Sequence, residues 1–410
     1  MLFFDDLLTP IHMRNMYRLD HEIDDELLYE AWEKTKRVYP VVDAVLGFDE
    51  GEAEQYLDPQ WAAEHAKSHL YIMAPEDDGG HPVKSKKPLA PNTEAVGKRL
   101  VAVSYYGNTI CATAYHLLID GGGFNMVLNT FLYTYLALYT GHEDEHPIVE
   151  LREGRALEDY FVPMEPARVC AQDFTVVPLF EPPADVRGFL DEDMCNDEGA
   201  MIMGIMEIDG RDFMRLCKST GANPSAMIAV LAGRAAYELN PDRQEGIVFG
   251  FTISSRDVLG VNDSIANAAT GGVSYVTRSD FERKPLAEVA QRVRADLNAQ
   301  RTRDYTLSFI KSMYLEHNMF DFVARPITYM GKFSIGDNDE HVLMAGISTK
   351  ADANVYMNAV GDRFDLALQY GKATEKYLDE FAKIFAELGV GAKIAVPAHF
   401  VALDVKEPVL

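Results

Sequence analysis

The spacing of hydrophobic and polar positions changes along the chain, and each change predicts a structural element. Residues 13–20 (MRNMYRLD) alternate between apolar and polar positions, which predicts a short strand. Residues 24–39 repeat apolar positions every three or four residues, which predicts an amphipathic helix that Pro40 ends. Residues 41–48 (VVDAVLGF) predict a second strand. The apolar stripe of the helix consists of Leu27, Leu28, Ala31, Trp32, Thr35 and Val38.

A hairpin and a long helix are predicted next. Residues 99–106 (RLVAVSYY) and 109–119 (TICATAYHLLI) have the composition of strands, and the Gly-Asn dipeptide between them favours a tight turn. Residues 124–140 (FNMVLNTFLYTYLALYT) form a mostly apolar helical segment, and Gly141 is a natural stop for it. The first half of the chain therefore mixes sheet and helix.

The second half predicts a similar mixture after a connecting segment. Residues 141–200 are rich in Pro, Gly and acidic residues, which favours a connection between domains. We therefore predict two domains, residues 1–170 and 171–410, each built of α/β or α+β layers. In the second domain, strands are predicted at 200–209, 246–256, 327–335, 341–349, 354–361 and 363–371, and helices at 211–221, 224–240, 284–304 and 373–389.

Composition and charge narrow the classes of function. A chain of 410 residues suits two domains, and its net charge of −26 makes nucleic acid an unsuitable partner. The four cysteines contain no C-x-x-C pair, so neither a zinc ribbon nor a redox motif is indicated. The N-terminus lacks a basic region, and no window approaches 18 uncharged apolar residues. These features predict a cytoplasmic protein without a membrane span.

The stretch AYHLLIDGGG, residues 114–123, carries the strongest candidate chemistry. His116 is predicted near the end of a strand, and Asp120 begins the following turn. The three glycines after it let a backbone or a ligand pass close by, and a helix N-terminus follows. Strand ends of this kind often hold ligands, and an imidazole there can take a proton near neutral pH. The alternative is a structural histidine beside an Asp-Gly turn.

The pattern H-x-x-x-D-G after a strand resembles the signature of the CoA-dependent acyltransferase superfamily. This superfamily includes chloramphenicol acetyltransferase, the condensation domains of peptide synthetases, and alcohol and polyketide-associated acyltransferases. The resemblance covers most of the chain in order, including 16–46, 87–123 and 250–276 (GFTISSRDVLGVNDSIANAATGGVSYV). It implies two chloramphenicol acetyltransferase-like α/β lobes with mixed sheets, packed as a V around a central tunnel.

The resemblance also implies roles for four residues. His116 is the general base that deprotonates an acceptor hydroxyl or amine, and Gly121 permits the turn. Asp120 faces away from the substrate and pairs with an arginine, for which Arg256 is the candidate. The glycines then clear room for substrate. The reaction implied is acyl transfer to a small-molecule acceptor. The acyl donor is a thioester of CoA or of an acyl carrier protein, used as a cosubstrate, with no tightly bound cofactor.

The motif offers a base and no adjacent nucleophile, so no covalent acyl-enzyme is required. A non-catalytic relative that binds a small acyl ligand or a partner protein is the alternative class. Tyr115 stands where condensation domains usually carry another histidine, and Val42-Asp43-Ala44 replaces their L-R-T. The D-F-G-W-G of plant acyltransferases is absent. These departures argue against a standard peptide synthetase domain and against a plant-type enzyme.

Two charged segments are further candidates. The basic residues Lys84, Lys86 and Lys87 are candidates to meet CoA phosphates or an acidic carrier protein, or they form a solvated loop. Residues 142–146 (HEDEH) satisfy the H-E-x-x-H of zinc proteases, but Gly and Pro flank them and no apolar helical face accompanies them. We interpret them as an acidic loop, and no metal site is predicted.

The remaining interpretations concern single residues. Tyr329, Ser274 and Tyr356 lie on predicted strands and are candidates to border the tunnel. Residues 336–341 (GDNDEH) lack the full calcium-loop pattern and are predicted to be a turn. The arginines at positions 292, 294, 301 and 303 predict an exposed helical face.

Overall fold

The computed structural model describes residues 12–48, 70–73, 75, 79–116, 119–142, 170–186, 188, 190, 192–194, 200–316, 318, 322–333, 335–349 and 353–402. The strands in this part of the chain are β1 (His12–Leu19), β2 (Val45–Phe48), β3 (Leu70–Met73), β4 (Val83–Lys84), β5 (Val101–Tyr106), β6 (Thr109–Tyr115), β7 (Ala200–Asp209), β8 (Ile247–Ser254), β9 (Ala269–Val276), β10 (Ala324–Lys332), β11 (Val342–Thr349), β12 (Asn354–Val360), β13 (Arg363–Gln369) and β14 (Ala392–Ala402). The helices are α1 (Asp25–Val38), α2 (Gly121–Thr140), α3 (Gly210–Thr220), α4 (Pro224–Leu239), α5 (Arg256–Leu259), α6 (Arg278–Arg283), α7 (Leu286–Ala299), α8 (Arg303–Ile310) and α9 (Thr374–Glu387).

The strands pair into two large sheets and a small ribbon. The first sheet has the order β11-β1-β6-β5-β4, and the second has the order β14-β7-β13-β12-β10-β8-β9. Both are mixed, because β4 runs parallel to β5 and β10 runs parallel to β8 and β12, while their other pairs are antiparallel. The ribbon consists of β2 and β3. The fold is therefore the α/β arrangement of two mixed sheets that the sequence predicts.

Helices cover each large sheet, as their apolar faces require. On the first sheet, α1 packs against α2, and the rings of Trp32 and Phe131 meet edge to face at 5.1 Å. On the second sheet, α9 packs on α4 and β7, and α4 packs on α7. Separate apolar cores lie under these two helical layers. In the described part of the chain, no helix has both the length and the apolar character needed to cross a bilayer.

Strand β11 connects the two sheets. It comes late in the chain, yet it pairs with β1 in the first sheet, with Met13 opposite Thr349. A division of the chain after residue 170 assigns β11 to the second domain, although the strand lies in the first sheet. The other edge of β11 faces β12 and β13 of the second sheet, so the two sheets meet along this strand.

Side chains of the second sheet satisfy the backbone groups on that outer edge of β11. The Gln369 amide accepts from the Thr349 N–H at 3.4 Å and donates to the Thr349 carbonyl at 2.6 Å. The Asp365 carboxylate accepts from the Ala345 N–H at 2.7 Å. Buried backbone groups need such partners, and an edge strand offers a row of them. Directional hydrogen bonds therefore join the two sheets in addition to the apolar contacts between them.

Several element boundaries differ from the sequence-based predictions. Residues Pro40–Asp43 form a turn of 3₁₀-helix, because proline suits the start of a helical turn, and the strand begins only at Val45. The strand predicted to run to residue 119 ends at Tyr115, and α2 begins earlier than predicted, at Gly121. The connection between the sheet and the helix therefore moves toward the N-terminus, to residues 116–120.

The prediction of one exposed helix at 284–304 was wrong in two respects. It is divided into α7 and α8, because Thr302 accepts from the Tyr305 N–H at 3.3 Å and starts a new helix. One face of α7 is buried in the second core. Strand β14 was not predicted, because Pro397 interrupts its pattern; proline is tolerated there since β14 is an edge strand with irregular register.

Replacing Gln369 tests the join between the sheets. Gln369→Ala leaves the N–H and the carbonyl of Thr349 buried without this partner, so we expect a loss of about 2 kcal/mol in the free energy of unfolding. Urea unfolding measures it. Gln244→Ala, an exposed glutamine, is the control and should change that free energy by less than about 0.5 kcal/mol. Equal effects of the two substitutions would contradict the role assigned to Gln369.

Candidate functional site

The H-x-x-x-D-G loop runs from the end of β6 to the start of α2. His116 lies in the turn directly after the strand. Asp120 is the N-cap of α2: its backbone is extended, and its carboxylate accepts from the Gly123 N–H at 2.7 Å. A capping carboxylate satisfies one of the open N–H groups of a helix start, which explains why α2 begins at Gly121.

The predicted pairing of Asp120 with Arg256 is present in the structure. The guanidinium donates two hydrogen bonds to the carboxylate, from Nη1 to Oδ2 at 2.9 Å and from Nη2 to Oδ1 at 2.7 Å. The Ala268 N–H adds a bond to Oδ2 at 2.8 Å. The same guanidinium donates to the carbonyls of Ser264 and Ala266, each at 2.8 Å. A buried ion pair is stable only with this degree of satisfaction.

The glycines after Asp120 make room for the chain itself. A Cβ on Gly123 would lie 2.0 Å from the carbonyl oxygen of Ile265, and one on Gly122 would lie 2.9 Å from Nη1 of Arg256. A Cβ on Gly121 would lie 2.7 Å from the Met330 sulfur. The interpretation that the glycines clear room for substrate was therefore wrong for Gly122 and Gly123. Their space belongs to the segment that carries and surrounds Arg256.

His116 has the protonation behaviour of a base at neutral pH. Its side chain is partly buried, and burial lowers the pKa of the imidazole, while the negative charge of Asp120 acts in the opposite direction. The net lowering favours the neutral ring, which can accept a proton. Beside it, burial raises the pKa of Tyr115 to about 12, so this hydroxyl keeps its proton.

The three lysines of the basic run lie far from His116. Lys84 is the register partner of Tyr105, and Tyr105 is the register partner of Ile110 in β6. His116 follows Ile110 by six residues, one position after the end of β6. At the rise of a strand, this separation is about 20 Å. Lys84 pairs with Asp25 at 3.0 Å, and the Lys86 ammonium lies over the Tyr106 ring at 4.8 Å. Lys87 is exposed in the same loop.

The three residues predicted to border a tunnel, Tyr329, Ser274 and Tyr356, lie in three separate surroundings. Tyr356 is buried between the sheets, with its hydroxyl 2.5 Å from that of Thr349. Ser274 is buried and donates to Asp296 at 2.6 Å. Tyr329 lines a groove of about 850 Å³ together with residues of α3, and the H-x-x-x-D-G loop contributes nothing to the groove lining. The tunnel stays a prediction.

Three further charged segments remain: the H-E-x-x-H sequence, residues 336–341 and the predicted arginine face. His142 is exposed and follows Gly141, whose left-handed backbone ends α2; residues 143–146 lie outside the described residues. Residues 336–341 form a 3₁₀-helix, Gly336–His341, where a turn was predicted. The predicted arginine face makes contacts with its own chain: Arg292 pairs with Asp280 at 3.0 Å, and Arg303 donates to the Asp173 carbonyl at 2.9 Å.

No family model and no curated protein matches this chain, but solved structures do. Polyketide synthase associated protein 5 from Mycobacterium tuberculosis has a TM-score of 0.59 at 12% identity, over 91% of this chain and 93% of that one. The first condensation domain of the calcium-dependent antibiotic synthetase has a TM-score of 0.58 at 12% identity, over 97% and 94%. F. graminearum TRI101, complexed with coenzyme A and T-2 mycotoxin, has a TM-score of 0.56 at 13% identity, over 97% of each chain.

These similarities show the fold. The chain has the two-lobe, chloramphenicol acetyltransferase-like fold of these compared structures, and this is the fold that the resemblance around H-x-x-x-D-G predicts. The similarity extends over nearly the whole length of each compared chain.

Breaking the buried ion pair should destabilise the protein strongly. Arg256→Ala leaves the Asp120 carboxylate buried without its cation, so we expect a loss of about 3–5 kcal/mol in the free energy of unfolding. The matched control is Arg211→Ala, which breaks an Arg–Asp pair whose side chains are 78% and 73% exposed, against 8% and 3% for Arg256 and Asp120. The control should leave the free energy of unfolding nearly unchanged, because an exposed ion pair contributes little to stability. Chemical denaturation measures both, and a similar loss in both would contradict a structural role for the pair.

Proposed function

We propose that this protein is an acyltransferase that moves an acyl group from a thioester to a hydroxyl or amine acceptor, with His116 as general base. The observation that carries the proposal is the setting of His116: a partly buried imidazole directly after β6, whose pKa burial lowers, four residues before Asp120 and its pairing with Arg256. Support comes from the fold, which is shared with condensation domains and with a protein complexed with coenzyme A.

The proposed reaction is a direct transfer. His116 accepts the proton of the acceptor O–H or N–H while the acceptor atom attacks the thioester carbonyl. The new C–O or C–N bond forms, the C–S bond breaks, and the leaving thiolate takes the proton back from the imidazolium. General base catalysis of this kind typically contributes 10²–10⁴-fold in rate. No residue of the enzyme has to be acylated.

The Asp120–Arg256 pair supports this step without taking part in it. Because Arg256 neutralises the carboxylate, Asp120 adds little negative charge where an anionic thiolate develops. Because the pair also fixes the start of α2, the turn that carries His116 is attached to a rigid element. Asp120 and Arg256 are positioning residues in this proposal, and Gly121 belongs to the same helix start.

The donor is a thioester of CoA or of an acyl carrier protein. With a net charge of −26, the protein repels polyanions in general, so either donor needs local positive charge. The run of Lys84, Lys86 and Lys87 is the proposed contact for the phosphate-bearing end of the donor. The division into lobes 1–170 and 171–410 is part of the same proposal, with β11 of the second lobe completing the sheet of the first, and the acceptor binds between the lobes near His116.

Replacing His116 should abolish acyl transfer and leave the fold intact. We expect His116→Ala to reduce acceptor-dependent thiol release from acyl-CoAs, or from acylated carrier proteins, by at least about 100-fold. His399→Ala, an exposed histidine on β14, is the control and should retain activity. Undiminished turnover in a folded His116→Ala protein would exclude the mechanism, and binding of donors without any release would indicate a non-catalytic relative.

The pH dependence of the reaction should report His116. Because burial lowers its pKa, the imidazole stays neutral throughout the neutral range and becomes protonated only below the ordinary histidine value. An imidazolium cannot accept the proton of the acceptor, so kcat/KM should be level near neutrality and fall with acidification below about pH 6.5. Initial rates between about pH 4.5 and 8.5 measure this. A midpoint above 6.5 for the acidic limb would argue against His116 as the base.

A further inference from the structure

Asp20, His21 and His341 come together at one corner of the first sheet. Nδ1 of His21 lies 2.6 Å from Oδ1 of Asp20, and Nδ1 of His341 lies 2.9 Å from Oδ2 of the same carboxylate. One ligand atom from each of the three residues lies within 4.8 Å of the others. Two imidazoles and a carboxylate therefore converge on one point.

The two histidines are held in place by their surroundings. The His21 ring is stacked on Tyr139 at 3.7 Å, and its Nε2 lies 3.3 Å from the Tyr135 hydroxyl. That hydroxyl also accepts from the Asp24 N–H at 3.1 Å. The segment that carries His341 is fixed by the Asp20 N–H, which donates to the His341 carbonyl at 3.1 Å. Metal-ligating histidines are usually oriented by such contacts at the second ring nitrogen.

The chemistry of the three groups suits a divalent metal. An ionised carboxylate only accepts, so each Nδ1 that faces it needs a proton or a cation between the two atoms. His and Asp are ordinary zinc ligands at about 2.0–2.2 Å, and three protein ligands with a water in the fourth position form a common zinc site. Ligand atoms around a tetrahedral ion lie about 3.4 Å apart, a small widening of the present contacts.

We propose that Asp20, His21 and His341 form a binding site for a divalent metal ion of the zinc class. The ion joins the connection between β1 and α1 to the segment that leads into β11, the strand that the second half of the chain adds to the first sheet. The negative charge of the chain favours a cation here.

The position of the cluster separates the ion from the candidate acyl-transfer site. His12, at the start of β1, pairs with Tyr115 beside His116, whereas Asp20 follows the far end of the same strand. The length of β1 separates the two places by about 25 Å. The metal is therefore remote from the proposed proton transfer, and this inference is independent of the proposed function.

Zinc binding by the whole chain, stripped with a chelator and titrated with ZnCl₂ in a calorimeter, tests the site. We expect one ion per chain, and substitution of Co²⁺ should give the visible absorption of a tetrahedral nitrogen–oxygen site. His341→Gln and Asp20→Asn should each weaken binding at least about 10-fold. Zinc should also raise the melting temperature of the wild-type protein more than that of the variants at the same zinc concentration, because stabilisation follows the affinity of the folded site.

Two control variants separate this cluster from other metal-binding histidines. His81→Gln removes an exposed histidine that lies 3.2 Å from one carboxylate, Glu33, and should bind zinc as the wild type does. His142→Gln interrupts the H-E-x-x-H sequence and should also bind normally. Unchanged zinc affinity in His341→Gln and Asp20→Asn, or affinity lost only in His142→Gln, would overturn the proposal. Absence of binding by the wild-type protein would overturn it as well.

Discussion

The buried ion pair between Asp120 and Arg256 is the interaction on which the candidate site depends. It joins the start of α2, in the first half of the chain, to the segment after β8, in the second half. The carboxylate caps its own helix while it receives the guanidinium and a backbone N–H, so displacement of any partner leaves a buried charge or an open helix end. The start of α2 therefore has one favourable position. His116 lies directly after the end of β6.

The same principle acts where the sheets meet. Apolar side chains between the sheets, including Met203, Ile205 and Met344, bury surface but specify direction weakly. The side-chain hydrogen bonds from β13 to the outer edge of β11 are directional, and a slip of one residue would leave buried N–H and carbonyl groups without partners. Polar contacts in two places thus fix the relation of the sheets.

Local patterns of the sequence predicted the elements that depend on local physics. The stripe of α1 and the hairpin of β5 and β6 follow from periodicity and turn chemistry, and the partner of Asp120 follows from the motif that resembles a known superfamily. Contacts between distant residues could not be predicted in this way. The pairing of β11 with β1 depends on which sheet edge is open, and Asp20 meets a histidine 321 positions away, which no spacing in the sequence indicates.

In the proposed function the lysines hold the phosphates of the donor, and the distance between the basic run and His116 then restricts that donor. Lys84 stands about 20 Å from His116 along the hairpin, so phosphates held there can serve a carbonyl at His116 only through an arm of that length. A compact activated acyl group, such as an acyl phosphate, cannot span this distance, whereas a thioester at the end of a long flexible arm can. CoA and an acylated carrier protein share such an arm, so both fit the donor contact proposed at the lysines. Discrimination between them then depends on the surface around the lysines, where Asp25 already neutralises Lys84.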